Sequence, residues 1–271
     1  MEKRAYVSLL TTNEFIKGLL VLYYSWQKTN SKYPFYCVIT HRISPENRKL
    51  LEAVGIKLII KQEIPMTPII CEYNKKHLKG CDNWYDAFSK FQVFGLEEFD
   101  KIIYIDCDTY IAQNIDNLFE KPHMSGAIDC DGLNTEVFDY LAEGDNYFKY
   151  FNSGLLVIEP SKDLFYDIMK FIANIKPKQV LADQNILHLY YPEWKDNYDL
   201  HLPVYYNILV PTLYQYVTKE WFDINEIKVF HFVNKKPWQK TILNPQEQQY
   251  MTILQDIKET LLRQGYSSPD L

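Results

Sequence analysis

Lys101-Ile-Ile-Tyr-Ile-Asp-Cys-Asp-Thr-Tyr110 is an apolar, β-branched run that stops abruptly at two carboxylates, Asp106 and Asp108, spaced i, i+2. The run Lys101 to Ile105 reads as a short, fully buried strand. Residues two apart on an extended chain project to one side, so the two carboxylates are expected to share a target. In open α/β sheets, ligands bind in the crevice beyond the carboxyl ends of strands. Two hard oxygen ligands there suit a divalent cation, and a cation there suits a diphosphate. Without a ligand, the same pair reads as a polar turn closing a buried strand.

The segments before this strand alternate strand and helix. Tyr6 to Leu10 is a strand, and the polar Thr11-Thr12-Asn13 that follows can cap a helix over 14–29. Phe35 to Ile39 is a second strand. Ser44-Pro45 then supplies the N-cap and first-turn signals of a helix ending near Gly55. Lys57 to Ile60 is a third strand. The stretch holding Pro65, Pro68 and Gly80 reads as irregular, and Trp84 to Leu96 as a helix. This alternation predicts an α/β fold built on a mixed, mainly parallel sheet flanked by helices on both faces.

After the carboxylates the texture changes. Asn152 to Ile158 reads as a strand, 161–173 and 182–190 as helices, Tyr190 to Trp221 as an irregular tyrosine-rich segment, and Val229 to Val233 as a strand. Pro245 to Gln264 is helical, with Tyr250, Ile253, Leu254, Ile257, Leu261 and Leu262 on one face. No linker or internal repeat divides the chain. The expected organisation is a single domain over 1–240, with 241–271 as a helical extension packed on it.

The 271 residues carry 29 Lys+Arg against 35 Asp+Glu, a formal charge of -6, with no block of five or more like charges. A nucleic-acid or anionic-membrane binder is therefore not expected. Only 9 glycines are present, and none has GxGxxG or P-loop spacing, so both phosphate-cradling glycine loops are excluded. The apolar run at the N-terminus is too short for a secretory leader, and Gly18 to Trp26 is about half a bilayer span. Five scattered cysteines without CxxC predict reduced thiols and a cytoplasmic setting. Cys71, His77 and Cys81 offer three zinc candidates with irregular spacing, and read rather as an ordinary loop.

Two enzyme classes compete for the carboxylate pair. Asp106-Cys107-Asp108-Thr109 fits the DxDxT of haloacid dehalogenase-like phosphohydrolases, with Asp106 as nucleophile. That motif usually opens its sheet and is completed by a late Gly-Asp pair. Here a hundred residues precede it, and Gly144-Asp145 does not follow an apolar strand. The other class is the DxD of nucleotide-sugar glycosyltransferases, where the preceding strands build the nucleotide pocket; the position of the motif favours it. A sugar-nucleotide-binding module without activity is the non-enzymatic alternative.

Six segments in order resemble glycosyltransferase family 8, the glycogenin and galactinol synthase group. They are 5–13 with Lys17-Gly18; Tyr104 to Asp108 with Asn114 to Phe119; Phe151-Asn-Ser-Gly154; Asp183 to Leu187; Leu202-Pro203 with Tyr206-Asn207; and His231 to Trp238. The resemblance implies a GT-A fold and retaining transfer from a UDP-sugar, UDP-glucose or UDP-galactose, to a hydroxyl of a carbohydrate, lipid-linked or protein acceptor; it leaves a homo-oligomer open. It also implies Asp106, Asp108 and His231 around Mn²⁺, with Mg²⁺ the second choice. Mixed oxygen and imidazole ligation agrees with that order. Leu10, Thr12, Asn13, Cys107, Asn152, Ser153 and Asn234 are then nucleotide-sugar contacts. Lys90 and Lys236 face the diphosphate, and Asp183 and Gln184 lie near the anomeric carbon.

The chain departs from the family at three places. The aromatic that stacks on uracil in glycogenin falls at Ile16, beside Phe15; the glycine usual after HF-x is Asn234; and the acidic residue three before the DQ pair is Val180. Tyr214 lies eight residues after Tyr206, the spacing of the self-glucosylated tyrosine in glycogenin. With 22 tyrosines in the chain, that spacing carries little weight.

Overall fold

The computed structural model describes residues 2–79, 86–129, 151–213 and 223–271. Four parallel strands, β1 (Arg4–Leu10), β2 (Phe35–Ile39), β3 (Lys57–Ile60) and β4 (Lys101–Ile105), lie in the order β3-β2-β1-β4. The sheet continues through β7 (Phe151–Ile158), which runs antiparallel to β4, then β6 (Gly126–Ile128) and β8 (His201–Leu202). It is thus mixed and mainly parallel, with the reversal beside the strand that carries the carboxylates.

Alternation along the central strands feeds two cores. Tyr6, Ile103 and Ile105 point into one, while Ala5, Val7, Ile102 and Tyr104 point into the other, and all are buried. Burying a large aliphatic side chain of this kind contributes about 1.5–3 kcal/mol, so neither face of β1 or β4 tolerates a polar residue cheaply. On the first face lie α1 (Ile16–Lys28) and α2 (Pro45–Ala53). On the second lie α3 (Pro68–His77), α4 (Lys162–Asn174), α5 (Asp183–Tyr190) and a 3-10 helix over Ala87–Gly95.

Local signals explain most boundaries. Ser44 accepts a hydrogen bond from the Asn47 amide at 3.2 Å, with Pro45 in the first turn of α2, and Ser161 accepts from Leu164 at 3.1 Å to start α4. A capping box opens α6 (Pro245–Arg263): Glu247 N donates to Asn244 at 2.9 Å and Asn244 N to Glu247 at 3.0 Å. Tyr250 and Leu254 of α6 bury against Val21 of α1 and Phe232.

Several expectations need correction. The helix expected from residue 14 begins as a 3-10 turn, Asn13–Phe15, and α1 starts at Ile16. The reason is that Asn13 does not cap it: its Oδ1 accepts from Ser44 N and Asn47 Nδ2, both at 3.0 Å. The helix expected over 84–96 is a 3-10 helix in its described part. Phe88, Phe91 and Phe94 recur every third residue, all fully buried, which is the three-per-turn stripe of that geometry. The stretch read as irregular contains α3, opened by Pro68, and Cys71 and His77 lie on that helix, not in a loop. The last short strand ends at His231, two residues early. Leu262 is exposed at 61%, off the buried face of α6.

A second, small sheet sets the site. β5 (Thr109–Ile111) pairs antiparallel with β10 (Val229–His231), and β10 pairs parallel with β9 (Ile208–Leu209). Cys37, Cys71 and Cys107 are free thiols; Cys81 and Cys130 lie outside the described residues. Among the described residues, no helix is long and apolar enough to cross a membrane.

Candidate active site

β4 ends at Ile105, and the Asp106 amide donates to the Gly154 carbonyl at 2.8 Å, extending the antiparallel contact with β7 by one residue. The chain then turns: Thr109 Oγ1 donates to the Asp106 carbonyl at 2.8 Å. Asp106 and Asp108 therefore converge across a turn, not along an extended strand as their spacing first implied. The register His231↔Thr109 places His231 beside the turn, and the Phe232 amide donates to the Asp108 carbonyl at 3.0 Å. His231 Nε2 lies 3.3 Å from Asp108 Oδ1. Asp106, Asp108 and His231 each offer one ligand atom, all within 4.8 Å of one another.

Around this trio lies a cleft of about 340 Å³ lined by Ala87, Lys90, Asp106, Asp108, Asn152, Ser153, Ala182, Asp183, Gln184, His231, Val233, Asn234 and Lys236. Lys90, on the 3-10 helix, reaches in from below. Its Nζ is 2.6 Å from Asp183 Oδ2, 3.2 Å from Asp106 Oδ1 and 3.1 Å from Ser153 Oγ. Burial pushes the Lys90 ammonium toward deprotonation, but the charges of Asp106 and Asp183 outweigh it and hold its pKa above the ordinary lysine value. Asp183 heads α5 without capping it, since Ala182 is the N-cap residue; its carboxylate is turned to Lys90 and accepts from Ser153 Oγ at 3.1 Å.

Lys236 stands on the other side, with its Nζ on Asp108 Oδ2 and 3.1 Å from the Phe232 carbonyl. Burial raises the Asp108 pKa, yet His231 and Lys236 together outweigh burial and hold the carboxyl well below the usual range. Asn234 precedes this lysine with φ 61, a left-handed backbone that asparagine tolerates better than other residues with a side chain. The residue that stands where the family motif has glycine thus adopts a conformation that glycine also favours. Ile16 is fully buried in the core. Phe15 instead meets Trp238 edge to face at 5.9 Å, with the Lys236 ammonium 5.6 Å from its ring centre.

Ten of the residues expected from the sequence line this one cleft: Lys90, Asp106, Asp108, Asn152, Ser153, Asp183, Gln184, His231, Asn234 and Lys236. Four do not. Leu10 is buried in β1, Thr12 precedes the 3-10 turn, Asn13 ties that turn to α2, and the Cys107 side chain packs on the core. Three neighbours were given no role by the sequence reading, although Tyr104 and Asn207 stand in the segments that carry the resemblance. Tyr104 donates its hydroxyl to Asp106 Oδ1 at 2.5 Å, Asp129 accepts from Gln184 Nε2 at 2.5 Å, and Asn207 Oδ1 accepts from His231 Nδ1 at 3.1 Å. Tyr104 was findable, because alternation puts it on the same side as Asp106; the other two depend on tertiary contacts. A larger hollow of about 440 Å³ between α1 and α6 offers a single carboxylate, Asp256, and no convergent cluster.

The geometry fits a divalent cation in donor set and burial, and its surroundings fit an anionic ligand. The model of glycosyl transferase family 8 matches residues 6–242. Galactinol synthase 1 of Solanum lycopersicum is 29% identical over 249 residues, covering 88% of this chain and 74% of the relative. Glycogenin-1 of Mus musculus is 26% identical over 250 residues, covering 91% and 68%. The solved structure of the galactosyltransferase LgtC with donor and acceptor sugar analogs superimposes with a TM-score of 0.62 at 17% identity, covering 93% of this chain and 95% of that one. The fold is that of the GT-A glycosyltransferases, and the chain belongs to glycosyltransferase family 8.

Proposed function

We propose that the protein is a metal-dependent, retaining hexosyltransferase that uses a UDP-sugar, UDP-glucose or UDP-galactose, and delivers the hexose to an acceptor hydroxyl. The observation that carries the reading is the meeting of Asp106, Asp108 and His231 in the cleft that Lys90, Asp183, Gln184 and Lys236 also line. When bound there, a divalent cation, Mn²⁺ by its mixed oxygen and nitrogen donors, supplies charge neutralisation at the donor diphosphate. The names of the galactinol synthase and glycogenin relatives agree with a hexosyl donor.

The chain's own groups divide the work. Lys236 and Lys90 are cations on opposite sides of the carboxylates, placed to balance charge on the departing diphosphate as the bond from the anomeric carbon to oxygen breaks. Asp183 and Gln184 present oxygen and amide groups where positive charge develops at that carbon. The new bond forms to the acceptor oxygen, whose proton passes to the departing diphosphate. Retention of configuration follows from the family resemblance. Asn152 and Ser153 are less free than the sequence implied, because Asn152 Oδ1 accepts from the Gly154 amide and Ser153 Oγ is held between Lys90 and Asp183. Leu10, Thr12 and Asn13 belong to the proposed uridine side, where Asn13 shapes the loop instead of offering its carbonyl. Residues 241–271 form the proposed extension, and free Cys37, Cys71 and Cys107 support a cytoplasmic setting. Tyr214 lies outside the described residues.

Asp108→Ala is expected to abolish Mn²⁺-dependent UDP-sugar turnover while leaving the fold intact by circular dichroism. Retained turnover would remove the metal assignment. Mass spectrometry after incubation with a panel of UDP-sugars reads donor choice and any hexose added to the protein itself. Phosphate release from an aryl phosphate, with no response to any UDP-sugar, would instead favour the phosphohydrolase chemistry of DxDxT.

A further inference from the structure

We propose that Asn207 is a positioning residue that fixes the tautomer of His231, so that the imidazole turns a lone pair, not an N–H, toward Asp108. The inference rests on reading Asp106, Asp108 and His231 as a metal site. It begins at a backbone amide, which can only donate. Gly154 N is 2.9 Å from a side-chain atom of Asn152, which must therefore be the carbonyl oxygen Oδ1. The same Oδ1 is 2.8 Å from a side-chain atom of Asn207, which must then be the donor Nδ2. The remaining atom of the Asn207 amide is its oxygen, 3.1 Å from His231 Nδ1. An oxygen acceptor there requires the hydrogen on Nδ1. In the neutral ring, Nε2 is left unprotonated.

That nitrogen faces Asp108 Oδ1 at 3.3 Å. In the neutral ring a lone pair and a carboxylate oxygen aimed at each other repel unless a cation lies between them, so the relay prepares the neutral ring for a metal ion. Only the doubly protonated ring donates to Asp108 and helps to hold its carboxyl low. The surroundings leave the relay little freedom. Asn207 is fully buried, and Asn152 and His231 are 7% and 4% exposed. Gly154 has no side chain, and a Cβ there would stand 2.2 Å from His231 Cε1, so the ring is seated directly against β7. Ring position and ring protonation are thus both set from the strand start Phe151-Asn-Ser-Gly154 and from the residue that precedes β9.

The test is made on the full chain with ¹⁵N-labelled histidine, stripped of metal and held at a pH where the ring is neutral. Long-range ¹H–¹⁵N spectra, assigned by comparison with His231→Gln, are expected to show His231 with a protonated Nδ1 and an unprotonated Nε2. Asn207→Ala is expected to lose that single pattern and to weaken Mn²⁺ binding, read by the signal of free Mn²⁺ in electron paramagnetic resonance, by about 10–100-fold. An Nε2–H tautomer in the wild type would overturn the proposal. So would an Asn207→Ala variant with a native circular dichroism spectrum and an unchanged Mn²⁺ affinity. The wild-type spectrum needs no variant and decides alone should Asn207→Ala not fold. A wild-type chain that shows the Nδ1–H pattern but binds no Mn²⁺ sinks the metal reading and leaves the relay standing.

Discussion

Asp108 is 7% exposed and carries two basic partners, and that pairing has a signature in the pH dependence of stability. Its carboxyl is held below the ordinary 3.8, so the unfolded chain takes up a proton there more readily than the folded one. The stabilisation is complete above 3.8 and is lost as pH falls through that value toward the lower folded one. Melting temperatures of the wild type and Asp108→Asn should therefore differ at neutral pH and draw together below about pH 4. A difference that stays level across that range would show that Lys236 and His231 do not hold the carboxylate charged. That Asp106, Asp108 and His231 belong to one cluster was legible in the sequence at this scale, because strand, DxD and a distant His-Phe motif are local patterns that carry the family resemblance. The reason Asn234 could replace a glycine was not legible, since φ 61 is visible only in the folded backbone. Asn207 escaped for a similar reason: its role depends on the direction of a backbone amide in another strand.

At the scale of elements, Gly18 decides how close α1 can come to the carboxylate turn. A Cβ at this position would stand 2.6 Å from the Cys107 carbonyl oxygen and 3.1 Å from Trp238. Alanine gains roughly 0.5–1 kcal/mol over glycine inside a helix, but forcing atoms into a packed contact costs about 1–3 kcal/mol. The second effect is the larger, and the atom in the way is backbone of the residue between Asp106 and Asp108. Gly18→Ala is expected to lower the melting temperature and to weaken Mn²⁺ binding together. A variant that melts lower with unaltered Mn²⁺ affinity would show that α1 packing and the turn are independent. Strands and capped helices were readable because their signals are local: Ser44-Pro45 acts where expected, and the Ser161 cap and the Asn244–Glu247 box open helices whose starts the sequence reading had placed to within a residue. The 3-10 helix over Ala87–Gly95 carries its own signal in the spacing of Phe88, Phe91 and Phe94, which an α-helical reading passes over. The antiparallel entry of β7 beside β4 had no local mark, because a strand buried on both faces has the same composition in either direction.

Across the whole molecule, the cleft draws on the large sheet through Asp106 and on the small sheet through His231, whose partner in register is Thr109. Those paired residues are 122 positions apart (231 − 109). This separation sets the order of events when the chain folds. A pairing so distant in sequence forms late, after the local βα units, because its loop-closure entropy is met before any contact rewards it. An ion that needs all three side chains finds no site in the unfolded chain, nor in a transition state that lacks the pairing of β5 with β10. Mn²⁺ at about 100 times its dissociation constant should add about 2.7 kcal/mol to stability. The gain should appear almost wholly as slower unfolding, with the refolding rate unchanged. Stopped-flow refolding with and without Mn²⁺ checks this, and faster refolding in its presence would place the ligand trio in the folding nucleus. On the proposed metal reading, the small sheet makes the ion a late lock on a chain that has already found its fold, not a template on which that fold is built.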